Sequence, residues 1–398
     1  MLLLKAIPSV FLLVYCSAAP AAPSDDDDAH LTVPELITKY GYPVEVHQVT
    51  TTDGYILTLH RIPHGKNTDK VSNRVVFLMH GLLCSSADWI FTGPDHGLGY
   101  LLADEGYDVW MGNARGNHQS RNHTRLNPDK DPEFWQFSWH EIGAVDVPAM
   151  IDHVLEVTGE ESLYHIGHSQ GTTTFYVMTS MRPEYNSKIK AHFSLAPVGY
   201  TNHMTSPLMH ILAFWSGPLE LLFKLIGVNE FLPTNEFLAL MGDTFCRDGD
   251  ITQFLCSNAL FAICGFSPKE MNATLFPVLT AHTPAGSSTR QLVHYAQGIN
   301  TGTFRQFDFG LKNLEIYGTF TPPAYDLKLI TAPIYLFYSH NDWMAAERDV
   351  IRLCNGLGDS CKGKFLVSDN SFNHLDYLYG ISAPKIVYER VISLMARH

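Results

Sequence analysis

The sequence predicts an α/β fold: a central, mostly parallel sheet flanked by helices and interrupted by a large, mostly helical insertion. Three observations predict it. Short apolar runs, of the kind buried on both faces of a parallel sheet, alternate with helical segments between about residues 74 and 197. From about residue 203 to about residue 318 the alternation stops, and dense apolar stretches without regular strand–helix units take its place before it resumes. Within the first block, Gly167-His168-Ser169-Gln170-Gly171 stands between a strand-like run at 162–166 and a helix-compatible run at 172–178. Strand, sharp turn and helix is the setting that lifts a serine out of a sheet in a strained backbone conformation. Side chains two residues before and after it would collide, so glycines stand there.

Taken in order, residues 1–18 read as a secretory signal peptide: a charged start ending at Lys5, an apolar run at 6–14, and small residues at 16–18. Cleavage is expected near Ala18 or Ala19, and the run is too short to span a membrane. Residues 19–32 form an acidic linker or propeptide around the four aspartates Asp25, Asp26, Asp27 and Asp28. The first part of the core, 33–202, opens with two β-rich runs at 43–49 and 55–62, which flank Asp53-Gly54, a hairpin signal. A strand at 74–79 runs into His80-Gly81-Leu82-Leu83. Another, at 107–111, runs into the loop 112–117, where Arg115 suits a structural ion pair. Aromatic packing fills 134–140, a helix is expected over 141–157, and a strand over 191–196. The insertion, 203–318, carries apolar stretches at 208–215 and 219–226. Pro218, Glu220 and Lys224 interrupt them, so they do not read as membrane spans. The last part of the core, 319–398, has strands at 333–338 and 363–367 and a closing helix that runs to about Arg397.

A hydrophobic content of 45% over 398 residues is ample for one large domain with an insertion, and a net charge of −13 argues against a nucleic-acid partner. The 20 histidines fit either scattered surface and core positions or an acidic working compartment. Loss of Cys16 with the signal leaves six cysteines and fifteen full pairings. Proximity favours Cys354–Cys361 and Cys246–Cys256, leaving Cys84 and Cys264 free. No Cys-x-x-Cys pair exists to suggest zinc, and the loop 112–117 lacks phosphate-binding spacing, so no metal and no cofactor is expected. Asn122-His123-Thr124 and Asn272-Ala273-Thr274 are glycosylation sequons.

The chemistry lies in three residues whose order is Ser169, Asp342, His374. Serine, acid, then histidine is the chain order of α/β-hydrolases and of neither familiar protease order. Asp342 follows the strand at 333–338, where a carboxylate can orient a histidine. His374 then takes the serine's proton and returns it to a leaving alcohol. Asp376 is the rival acid, expected to face away. Asp108 follows too early a strand, and Glu347 and Asp349 sit in a helix. The backbone N–H groups of Leu82 and Gln170 are the expected oxyanion donors.

These stretches, with Phe137-Ser138-Trp139-His140-Glu141-Ile142-Gly143 and His282-Thr283-Pro284-Ala285-Gly286-Ser287-Ser288, resemble the acid lipase family of gastric and lysosomal acid lipases, including its invertebrate members. The resemblance runs from about Val33 to the end. It implies the α/β-hydrolase fold and a secreted or lysosomal glycoprotein hydrolysing neutral lipid esters at a lipid–water interface. It matches Ser169, Asp342, His374, Leu82 and Gln170 to the family's nucleophile, acid, base and oxyanion donors. It also implies a long cap and lid, a Cys246–Cys256 bridge and a free Cys264. Departures are a longer 246–256 segment, Cys84 beside the oxyanion loop, and an added Cys354–Cys361 bridge. Triacylglycerols are the first expectation for substrate; cholesteryl or short-chain esters are the alternative. A catalytically silent lipid carrier is a third reading. The stretch 208–226 is expected to cover the pocket over Ser169 and to open at a lipid surface.

Overall fold

The structure is a computed structural model that describes residues 26–214, 229–231 and 263–398. The expected signal peptide 1–18, half of the expected linker 19–32 (residues 19–25), residues 215–226 of the expected cover, Cys246 and Cys256 lie outside the described residues. Eight strands build the main sheet: β1 (Glu45–Thr50), β2 (Ile56–Ile62), β3 (Val75–Met79), β4 (Asp108–Gly112), β5 (Leu163–His168), β6 (Ile189–Leu195), β9 (Ile334–Tyr338) and β10 (Cys361–Leu366). Their spatial order is β1-β2-β4-β3-β5-β6-β9-β10. The expected hairpin is β1–β2, antiparallel, and β2 pairs antiparallel with β4; every pair from β4 to β10 is parallel.

Every residue of β3, β4 and β5 is buried, as helices on both faces require. The chain moves from β3 outward to β4 and then back across β3 to β5, so the strand order reverses between β3 and β5. Loops leaving the carboxyl ends of two such strands diverge and open a crevice, the usual ligand site of an open parallel sheet. The loop 80–83 leaves β3 there and Ser169 leaves β5.

The helix expected over 141–157 begins earlier and is broken into three pieces: Trp139–Glu141, a π-helical turn at Ile142–Asp146, and Val147–Thr158. Pro148 supplies the reason, because it has no N–H for the ordinary ladder, and the Val147 N–H bonds instead to the Ile142 carbonyl. The turn carries Asp146 to the 112–117 loop. There the buried Arg115 bonds Asp146 through Nε (2.8 Å) and Asp53 through a terminal nitrogen (2.6 Å), with its guanidinium 3.9 Å over the Tyr55 ring. Arg115 thus ties the β1–β2 turn to the helix layer. Removing one member of such a buried pair typically costs about 3–5 kcal/mol.

Between β6 and β9 the longer helices of the described chain are Pro207–Phe214, Phe276–His282 and Thr289–Thr301. This part also holds a ribbon that the sequence did not predict. β7 (Glu230–Phe231) pairs antiparallel with β8 (Ser287–Ser288), two residues from each side, too short for any period to show. Among the described residues no helix is long and apolar enough to cross a membrane.

Candidate active site

Ser169 sits between the end of β5 and the helix Gln170–Met181 with φ 51° and ψ −118°, a conformation that side-chain-bearing residues rarely adopt. The two glycines permit this turn for different steric reasons. A Cβ on Gly167 would come 2.7 Å from the Gly171 carbonyl, across the turn. A Cβ on Gly171 would come 2.1 Å from the Met79 carbonyl oxygen at the end of β3. The second glycine therefore serves the neighbouring strand as much as the turn.

His374 and Asp342 arrive from the far side of the sheet. The His374 Nε2 is 2.8 Å from the Ser169 Oγ, and its Nδ1 is 2.9 Å from each oxygen of Asp342. All three residues are at most 7% exposed. The Asp342 Oδ1 also accepts from the N–H groups of Met344 (2.9 Å) and Ala345 (2.7 Å), which fixes the plane of the carboxylate. With Nδ1–H donating to Asp342, Nε2 carries the lone pair toward the serine hydroxyl.

The rival acids lie elsewhere. Asp376 accepts from the Asn373 N–H (2.6 Å) and faces Glu270, not His374. Burial, aided by Glu270 and Asp369, pushes its carboxyl up to about 7. Asp108 does not follow a strand. It is the first residue of β4, at the sheet's opposite end, where Arg61 donates to both its oxygens at 2.8 Å. Asp349 accepts from the backbone N–H of His203, and Glu347 faces His340.

The loop 80–83 presses against the serine: a Cβ on Gly81 would lie 3.2 Å from the Ser169 Cβ. Leu82 comes next, and Leu83 takes a left-handed backbone at φ 62°. Gln170 begins its helix, so its N–H is among those that no helical carbonyl reaches. The positive end of that helix faces Ser169.

Several supporting groups carry no local sequence signal. His80 donates from Nδ1 to the Gly81 carbonyl (2.7 Å) and accepts at Nε2 from the Ala114 N–H (3.1 Å). Burial holds its pKa down to about 4, so the ring is the neutral clamp this pattern needs. Asp88 accepts from the Ser85 N–H, the Thr283 hydroxyl and the Tyr379 hydroxyl, joining this loop to the segment after His374. His168 bonds the His374 carbonyl at 2.8 Å. The Cys264 carbonyl accepts from the N–H groups of both Trp343 (3.4 Å) and His374 (3.3 Å), and the Gly265 carbonyl from the Asn373 side chain (2.9 Å). One short stretch of the insertion is thus strapped to the acid loop and the base loop together.

Cys354, in the helix Glu347–Leu357, is disulfide-bonded to Cys361 at the start of β10, and Cys84 and Cys264 are free and buried. Asn122 is exposed; Asn272 is half-buried and accepts through Oδ1 from the N–H and hydroxyl of Thr274.

Two family models match the chain: a partial alpha/beta-hydrolase lipase region over residues 33–93 and the alpha/beta hydrolase fold over 74–229. The chain is 45% identical over 374 residues to Lipase 1 of Drosophila melanogaster, covering 93% of this chain and 81% of that one. It is 40% identical to the gastric triacylglycerol lipase of Rattus norvegicus over 374 residues, covering 93% and 92%. It is 39% identical to the lysosomal acid lipase/cholesteryl ester hydrolase of Homo sapiens over 377 residues, covering 94% and 92%. A solved structure from Sulfolobus solfataricus shares the fold, with a TM-score of 0.58 at 15% identity over 89% of this chain and 94% of that one. A parallel sheet with a serine–histidine–aspartate line at its carboxyl edge, and relatives of this similarity along nearly the whole chain, make this an α/β-hydrolase that belongs to the acid lipase family of the gastric and lysosomal enzymes.

Proposed function

We propose that this chain is a serine lipase that hydrolyses the carboxylic esters of neutral lipids, triacylglycerols first among them. The observation that carries the proposal is His374, held by Asp342 on one ring nitrogen and facing the strained Ser169 on the other. Ser169 Oγ attacks the ester carbonyl while His374 Nε2 takes the hydroxyl proton. The carbonyl oxygen turns negative and is received by the N–H groups of Leu82 and Gln170. His374 returns the proton to the departing alcohol oxygen, leaving an acyl group on Ser169. Water then enters where the alcohol left and attacks the acyl carbonyl while His374 Nε2 takes its proton. The acyl–Oγ bond breaks, His374 returns the proton to Ser169 Oγ, and the fatty acid leaves. Asp342 keeps the ring in the productive tautomer and stabilises the imidazolium. No step needs a metal or an organic cofactor.

The segment 203–318 serves as the cap over this edge. On its helix Pro207–Phe214, Leu208, Ile211 and Phe214 are 41%, 57% and 77% exposed, which supports contact with a lipid surface. The relatives' names include both a triacylglycerol lipase and a cholesteryl ester hydrolase, so cholesteryl esters are the second substrate reading. A silent lipid carrier would not need the three groups in hydrogen-bonding line. Secretion or lysosomal delivery is supported by the signal-like residues 1–18 and by the disulfide, which suits an oxidising compartment. Asn122 and Asn272 are the proposed glycan acceptors.

The test is an emulsified panel of triacylglycerols, cholesteryl esters and short-chain esters, assayed from acid to neutral pH with wild type and Ser169→Ala. Loss of a triad serine typically lowers kcat on the order of a millionfold. A folded Ser169→Ala protein that keeps more than about a tenth of the activity would sink the assignment.

A further inference from the structure

The helix Thr289–Thr301 comes from the insertion, yet it bears directly on the turn that carries Ser169. Gln291, 2% exposed, accepts through Oε1 from the Gln170 side-chain Nε2 at 2.7 Å, and Gln170 is itself 3% exposed. One turn further on, the Tyr295 hydroxyl meets the Thr173 hydroxyl at 3.2 Å. The residues just before this helix reach the other side of the site: the Ala285 N–H donates to the Leu83 carbonyl at 2.6 Å. The helix has its own anchors. The Ser288 hydroxyl donates to the Phe137 carbonyl (2.6 Å), His294 bonds the Ser138 hydroxyl (3.0 Å), and the His294 ring stacks on Trp139 with centroids 3.6 Å apart. A fixed platform outside the main sheet therefore touches both loops whose N–H groups flank Ser169.

We infer that Gln291 is a positioning residue: its hydrogen bond to the Gln170 side chain sets where the Gln170 backbone N–H points, and so sets the depth of the oxyanion site. The inference rests on the lipase reading and deepens it. The Gln170 N–H shares a peptide plane with the Ser169 carbonyl, which accepts from the Thr172 N–H (2.9 Å) and the Thr172 hydroxyl (2.7 Å). The side-chain tether to Gln291 restrains the other side of that plane, at the Gln170 Cα, where a strained serine precedes it and no earlier helical turn packs. An oxyanion donor must be aimed at the transition state before the reaction begins, and a misplacement of about 1 Å costs on the order of a hundredfold. The bond involves no substrate contact by Gln291, so its loss should appear in kcat and not in KM.

The experiment uses the full chain with a soluble p-nitrophenyl ester, which removes the lipid interface, and a fluorophosphonate, whose phosphoryl oxygen occupies the oxyanion position when it labels Ser169. Gln291→Leu is expected to lower both kcat and the labelling rate by about 10- to 100-fold with KM within about twofold. Tyr295→Phe breaks the neighbouring tie between the same two helices and is expected to keep both rates. Gln291→Leu rates within about twofold of wild type, or an equal fall in Tyr295→Phe, overturn the inference. Should Gln291→Leu fail to fold, Gln170→Leu breaks the same bond while keeping the backbone N–H and is held to the same numbers. A wild-type chain that neither turns over the ester nor takes the label at Ser169 overturns the lipase reading and this one with it. A wild type that does both, matched by Gln291→Leu, overturns this one alone.

Discussion

Asp342 and Asp376 make the most instructive pair of regions in this molecule. Each follows one of the last two strands of the sheet, each is buried, and Asp376 is only two residues from His374. Asp342 nevertheless holds the histidine. Its neighbours are donors: two backbone N–H groups and the imidazole Nδ1. Asp376 has Glu270 and Asp369 in its field and burial against it, so its carboxyl stays protonated up to about pH 7. Asp376 has a donor too, the Asn373 N–H, so what separates the pair is where each carboxyl points, and that burial beside two further carboxylates pushes Asp376 up. Closeness in sequence is a poor guide, because a residue two positions along the chain points its side chain elsewhere.

The sharpest way to break this contrast is to neutralise each acid in turn. Asp342→Asn should lower kcat by about ten-thousandfold, because an amide leaves His374 in the wrong tautomer, the effect seen in a related triad. Asp376→Asn should cost far less on the same ester, and equal or reversed losses would assign the acid wrongly. A second measurement reads the raised carboxyl directly. A carboxyl whose folded pKa is raised contributes stability that is fully present below about pH 4, its ordinary range, and lost as pH rises through about 7. Wild type minus Asp376→Asn, followed by thermal melting, should show that decline across this window, on the order of 1.4 kcal/mol per unit of raised pKa. A flat difference would show that Asp376 ionises normally. The buried histidines run the opposite way: His60 and His282 are held down to about 4 and His165 to about 3, chiefly by burial. Their contribution is present above about pH 6.5 and lost as the pH falls toward those values, so subtracting the two proteins is what isolates Asp376. The smallest effect belongs to the bridge between the helix Glu347–Leu357 and the start of β10. Replacing Cys354 and Cys361 by serine opens a link of sequence separation 7 and should cost about 2–3 kcal/mol in stability. Activity well below the melting point should hardly change; a large loss there would mean that the bridge sets the spacing of acid and base.

What was legible in the chain was local or ordered. The turn at Ser169 announced itself because strand, glycines and helix lie within a few consecutive residues. Asp342 and His374 could be named because each follows a strand with the right apolar pattern, and because chain order restricts the fold. The same reading misjudged Asp108, counting it as following a strand that it begins. It extended one regular helix over 141–157, where Pro148 widens the ladder to a π turn. The supports of the site were not legible at all. Asp88, the Cys264 carbonyl and Gln291 each act across large sequence separations, 121 residues for Gln291 and Gln170. Such contacts leave no period and no motif, and backbone carbonyls have no residue identity to read.

The strap at Cys264 and Gly265 bears on whether this fold can be taken apart. Its carbonyls hold Trp343, Asn373 and His374, the shoulders of both catalytic loops. Substrate range in such enzymes invites engineering by exchange, with the covering segment of one protein grafted onto the sheet of another. Any grafted residue brings a backbone carbonyl, so a graft that ran through 265 would keep this strap only if its backbone followed the same path. A shifted path would move the acceptors shared by Trp343, Asn373 and His374 even if the new cover fitted the ester well. The practical seam therefore lies on the amino-terminal side of Cys264, and a chimera joined beyond it on a shifted path should fold yet turn over slowly.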